Sequence, residues 1–179
     1  MPLRRTPITE ESVNELVAQL LTLSRQTHAG MVVSASAKIE SVLEQLLTVY
    51  MRSLTRKEHR RLFGGYGPLS SFSAKTDVAY ALNMIPVSMF GALNILRRLR
   101  NEMAHSEEVV DLTHAKIKPI FDELANLEPK TSTADEDVFQ DCAYSIGVSL
   151  GGYISELTRR RNAGGPSPGV LPGWARTRA

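Results

Sequence analysis

Apolar residues recur at three- and four-residue intervals along most of the chain, the spacing of one buried helix face. Thr9 reads as an N-cap, with Glu10 and Glu11 in the first turn, and Val13, Leu16, Val17, Leu20 and Leu23 follow at helical spacing. Gly30 reads as a break. A second helix then carries Val32, Ala35, Ile39, Val42, Leu43, Leu46 and Tyr50 on one face. Its start, Ser34 to Ala37, is small enough for close helix approach. Thr55 and Glu58 fit a capping box ahead of a short basic helix ending near Phe63. Gly64 to Pro68 is a loop. Ser70 or Ser71 caps a helix through Phe72, Thr76, Ala79 and Leu82, ending near Asn83. Pro86 opens another, running to about His105. Leu112 to Leu127 reads as one helix, with Pro119 kinking it or marking its first turn. Glu128 to Ala134 is turn-like. The last helix runs from the acids Asp135 to Asp137 to the arginines Arg159 to Arg161, both placed to suit the helix dipole.

No stretch shows convincing strand alternation, and no internal repeat is visible. The expectation is an all-α protein, a single bundle of about six or seven helices. Residues 1–8 read as an N-terminal arm, 9–161 as the helical domain, and 162–179 as a disordered Gly/Pro/Arg tail.

Composition narrows the function classes. The 179 residues are 42% hydrophobic and 22% charged, ordinary for one globular domain. The single cysteine, Cys142, excludes an internal disulfide and argues against a Cys-based zinc site; it reads as a core residue. No apolar run reaches the roughly 18 residues a membrane helix needs. The N-terminus lacks the apolar stretch of a signal peptide. The expected compartment is the cytoplasm. The net charge is +2, and the tail residues Arg176 and Arg178 account for it. A neutral body argues against a broadly basic nucleic-acid binder, though not against a local patch.

Residues Leu93 to His105 hold the most informative chemistry. Ala92, Ile95, Leu96, Leu99 and Met103 form an apolar arc, and Asn94, Arg97, Asn101 and His105 fall opposite it, with Arg100 on the flank. Arg98 and Glu102 are spaced as an i,i+4 pair. A solvated face gives the same periodicity. The residue types are the distinguishing feature. Arginine offers fixed donors to phosphate oxygens, and histidine titrates where proton transfer is useful.

The block Arg100-Asn101-Glu102-Met103-Ala104-His105 resembles the Arg/His signature of HEPN domains. These are all-α bundles that commonly dimerise; many are metal-independent endoribonucleases, and others bind RNA or nucleotides or are inactive. A longer stretch, Gly65-Tyr66-Gly67-Pro68-Leu69 through Lys75, then Tyr80-Ala81-Leu82, then Leu99 to His105, resembles the mannitol operon repressor family. That resemblance spans about Met31 to Leu157 and is most specific between Gly65 and His105. It implies an HEPN-like bundle acting as a transcriptional regulator, although no helix-turn-helix is visible.

Three readings follow. The first is a cytoplasmic regulator, dimeric, acting through a protein partner or DNA. The second is a metal-independent endoribonuclease, a toxin or defence effector, in which Arg100 holds the scissile phosphate, His105 is general acid or base, Asn101 orients them, and RNA is the substrate. The third is a non-catalytic bundle in which Arg100, Asn101 and His105 pin helix ends. The longer resemblance ranks the regulator first, so the balance is toward a non-enzyme.

Other features add less. Arg52, Arg56, Lys57, Arg60 and Arg61 could meet nucleic-acid phosphates or simply form a solvated face. His59, Phe63 and Tyr66 do not interleave with them, so a base-stacking platform is not indicated. Gly65, Gly67 and Pro68 set a structural turn and lack the residues of a phosphate loop. Lys75 and Asp77 read as an exposed pair. Ala143, Gly147 and Gly151 make a small-residue stripe for close packing, within the chain or across a homodimer. His28, His59 and His114 stand apart, so no metal site is expected, and no cofactor is implied.

Overall fold

The computed structural model describes residues 27–51, 53–106, 110–127 and 132–163. The helix expected from Thr9, the arm, Arg52 and residues 164–179 of the expected tail lie outside them; the tail's first residue, Asn162, instead ends the last helix. Six α-helices and no strand occur among the described residues: α1 (His28–Tyr50), α2 (Arg56–Phe63), α3 (Phe72–Ala81), α4 (Val87–His105), α5 (Lys118–Ala125) and α6 (Asp135–Asn162). The chain is all-α, as the periodicity predicts.

Helices α1 and α6 form the main contact and run parallel. His28 at the start of α1 meets Glu136 at the start of α6, while Arg161 near the end of α6 donates to the carbonyls of Val49 and Met51 at the end of α1. Helix α4 packs on α1, α3 closes one side over both, and α5 bridges α4 to α6. One core results, with Leu43, Leu46, Leu93, Leu96, Leu99, Phe121 and Phe139 almost wholly buried. The aliphatic and aromatic surface removed from water is the main stabilising contribution.

Small residues allow the close packing of α1 and α6. Ala35 and Ser36 on α1 and Ala143, Gly147 and Gly151 on α6 are buried. The stripe on α6 therefore serves packing within the chain. Ser36 and Thr76 avoid orphaned hydroxyls by donating to the carbonyls of Val32 and Phe72 one turn back. Cys142 is buried, as expected.

The caps follow the sequence at three points. Thr55 and Glu58 form the reciprocal capping box of α2. Ser71 accepts from the Ala74 N–H and starts α3. Helix α3 ends with Met84 N–H on the Ala79 carbonyl and Asn83 N–H on that of Tyr80, a Schellman motif that needs Asn83 at φ 56°. Asparagine tolerates that left-handed conformation better than most residues.

Two boundaries differ from the pattern. Gly30 does not break a helix: Thr27 caps α1, its hydroxyl accepting from Gly30 N–H in the first turn. The helix expected from Leu112 begins only at Lys118. Asp111 accepts both the N–H and the hydroxyl of Thr113, which holds the chain in turns as far as Ile117. Pro119 then occupies the first turn of α5, where its missing N–H costs nothing.

Candidate functional site

The polar stripe of α4 divides into two environments. At its N-terminal half, Asn94 donates to the Phe90 carbonyl at 3.0 Å and accepts from Arg97 at 3.5 Å. The Nε of Arg97 is buried and has no hydrogen-bond partner. This end is half-buried and self-contained. Arg98 does not pair with Glu102 as its spacing implied. It reaches α5 and meets Glu123 at 2.9 Å, tying the two helices at the surface.

At the C-terminal half the stripe opens onto a cleft of about 490 Å³. Asn101, Glu102 and His105 of α4 line it, with His114, Lys116 and Ile117 of the connection facing them. Turns between Asp111 and Ile117 therefore create the second wall. His114 accepts the Lys116 N–H on Nδ1 at 3.3 Å, which leaves Nε2 to carry the proton of a neutral ring. Thr113's hydroxyl and N–H hold the Asp111 carboxyl below its ordinary value. Asn101 and His105, one turn apart, share the cleft. Arg100 is half-buried on the flank, contacts Asn101 at 3.5 Å, and is not among the residues that line it.

A second cleft, of about 670 Å³, lies between α5 and the start of α6. Its charged walls satisfy one another: Lys118 binds Asp122 and sits 3.9 Å from Asp135. The hydrogen bond to Asp122 raises the Lys118 pKa.

Sequence reasoning missed the most buried charged group among the described residues. Lys75 is not exposed; only 4% of its surface reaches solvent. Its ammonium lies 2.8 Å from Glu40 and 3.2 Å from Glu44, successive turns of α1, and His59 of α2 adds a 3.4 Å contact to Glu44. Asp77 is exposed, as expected. The signal was present: Lys75 falls between Phe72, Thr76 and Ala79 on the buried face of α3, and Glu40 and Glu44 share one face of α1. His28 is likewise engaged. It accepts the Leu112 N–H on Nδ1 at 3.1 Å and contacts Glu136 through Nε2 at 2.7 Å.

The glycine turn behaves as a structural device. Gly65 takes φ +56°, and a side chain at Gly67 would collide with the Arg61 and Leu62 carbonyls. The turn lifts Tyr66 into solvent, fully exposed. Beside it, Arg56, Lys57, Arg60 and Arg61 of α2 are all exposed. Apolar side chains are also exposed at the corner between α3 and α4, and at Tyr144 and Val148 on α6. Tyr80, Leu82 and Val87 are 42%, 38% and 59% exposed, and Tyr80 stacks on Phe90 with ring centroids 4.4 Å apart. No helix among the described residues is long and apolar enough to cross a membrane.

No protein-family model and no curated protein sequence matches the chain. Among solved structures, the fold is similar to that of MtlR in the MtlR–HPr complex from Escherichia coli. The match has 22% identity and a TM-score of 0.55, and covers 82% of this chain and 98% of that one. At that identity the likeness is one of fold: the protein is an MtlR-like all-α bundle.

Proposed function

We propose that this protein is a cytoplasmic regulator that works by binding a protein partner, the fold neighbour MtlR having been solved in a complex with HPr. The observation that carries the reading is the extent of the fold match. Nearly all of the Escherichia coli MtlR chain finds its counterpart here, and that chain was solved in a complex with HPr. A transcriptional role and dimerisation extend the same reading.

The apolar corner supports it. Tyr80, Leu82 and Val87 expose aromatic and aliphatic surface on two helices whose other faces already fill the core. Apolar surface grouped in this way is what a protein partner covers. In the α4 cleft Asn101 and His105 converge, and Arg100 contacts Asn101 from the flank.

Size-exclusion chromatography of the purified chain with purified HPr tests the proposal. Co-elution at tens of micromolar, lost in Val87→Asp, is the expected result. Separate elution of the two proteins at that concentration overturns it.

A further inference from the structure

The cations of α2 have a placement that partner capture at the α3–α4 corner does not use. Arg56, Lys57, Arg60 and Arg61 span about 140° of the helix, at 100° per residue. His59, Leu62 and Phe63 occupy the opposite arc and anchor it: Phe63 is buried, His59 packs on Phe63, and Leu62 lies against the core. The one acid, Glu58, is committed to the capping box with Thr55. None of the four cations has a carboxylate or other hydrogen-bond partner among the described residues. Several cations elsewhere are paired, Arg98 with Glu123, Lys118 with Asp122, and Arg159 and Arg160 with Glu156, while Lys38 and Lys116 stand singly; among the described residues only α2 groups four such cations on one face. Positive charge is thus left without a local counter-charge on one short helix.

Two further observations bear on the occupant. Arg161 binds the carbonyls of Val49 and Met51, which places one further cation against the chain that leads into α2. At the other end, Tyr66 projects from a turn fixed by Gly65 and by two backbone bonds, Gly67 N–H to Gly64 and Leu69 N–H to Leu62. A fully exposed aromatic ring three residues past the end of α2 offers a stacking face, and the guanidinium groups of that helix offer phosphate donors.

We propose that α2 and Tyr66 together form a docking surface for single-stranded nucleic acid, with Arg56, Lys57, Arg60 and Arg61 on phosphates and Tyr66 stacked on a base. Four grouped cations favour a polyanion, and a single strand brings phosphates for the cations together with base faces for the ring. The i,i+4 pairs Arg56/Arg60 and Lys57/Arg61 each place two charges about 6 Å apart along the helix axis. Binding at this surface follows backbone charge, without sequence preference.

Fluorescence anisotropy of the full chain with a labelled oligouridylate tests this. Four phosphate contacts give a slope of about −3 in log affinity against log salt. Arg60→Ala/Arg61→Ala should reduce that slope by about 1.4. Tyr66→Ala should leave the slope unchanged and weaken binding about five-fold or more, the range for loss of one stacked base. All three side chains stand in solvent, so folding is not at risk. Absence of saturable binding at low salt overturns the proposal. So does polyglutamate competing as well as the oligonucleotide while Tyr66→Ala binds normally, the pattern of an acidic protein site.

Discussion

Lys75 and Glu40 meet at 2.8 Å in a place where the lysine is almost completely buried, and Glu44 shares the same ammonium at 3.2 Å. The cation from α3 bridges two carboxylates on α1 and offsets part of their mutual repulsion. Removing one partner of such a cluster costs more than the pair contributes, because a charge is left unsolvated. Lys75→Ala should therefore destabilise the fold by about 3 kcal/mol, measured by urea unfolding. A loss under about 1 kcal/mol would show that water already screens the two carboxylates.

Much of the architecture was legible in the sequence, and the failures have physical causes. Helix α4 was clear because Ala92, Ile95, Leu96, Leu99 and Met103 repeat on one face and are all buried. Thr55, Ser71 and Asn83 marked boundaries through capping chemistry that acts within a few residues. Residues 111–117 misled because Ile117 continues the spacing of Ile120, Phe121 and Leu124 and Leu112 is also apolar and buried, yet Asp111 and Thr113 close a local turn that competes with helix. Lys75 was missed for a related reason. Charge alone implied solvent, whereas the carboxylates that make burial tolerable lie more than thirty positions earlier in the chain. The cleft at Asn101 and His105 was half legible: one wall is helical spacing, and the other depends on where the turns fold back.

The tie between His28 and the 111–117 connection gives a second prediction. Leu112 is fully buried, and its N–H has the His28 Nδ1 as acceptor. His28→Ala orphans that donor, at a cost of about 1–3 kcal/mol. Amide exchange at Leu112 should accelerate by at least ten-fold in the variant. Unchanged exchange would mean that the connection is held by its apolar contacts alone.

The end of α6 carries a pH signature. Hydrogen bonds from Arg159 and then Arg160 hold the Glu156 carboxyl at about 2, below its ordinary 4.5. A depressed carboxylate contributes stability above its unfolded value, and that contribution is lost as pH falls from 4.5 through 2. The ion pairs are close to solvent, so Glu156→Gln should cost about 1 kcal/mol at pH 7 and almost nothing at pH 2. Equal costs at both pH values would contradict the assignment.

The capping box predicts a smaller, local effect. Thr55→Ala removes the hydroxyl that accepts the Glu58 N–H and should cost about 1 kcal/mol. The loss should appear as faster amide exchange within α2 rather than across the bundle.

The regulator reading also makes a statement about RNA. Purified protein incubated with mixed cellular RNA in EDTA should leave it intact, and His105→Ala should behave identically. Cleavage that disappears in both Arg100→Ala and His105→Ala would instead make the α4 stripe a nuclease centre assembled across two chains.

Partner capture is the claim on which the functional account rests, and calorimetric titration of the chain with purified HPr addresses it most directly. The account predicts saturable binding at one HPr per chain, weakened at least ten-fold by Val87→Asp at the apolar corner. A flat titration at protein concentrations of tens of micromolar would contradict it, and the likeness to MtlR would then be one of architecture alone.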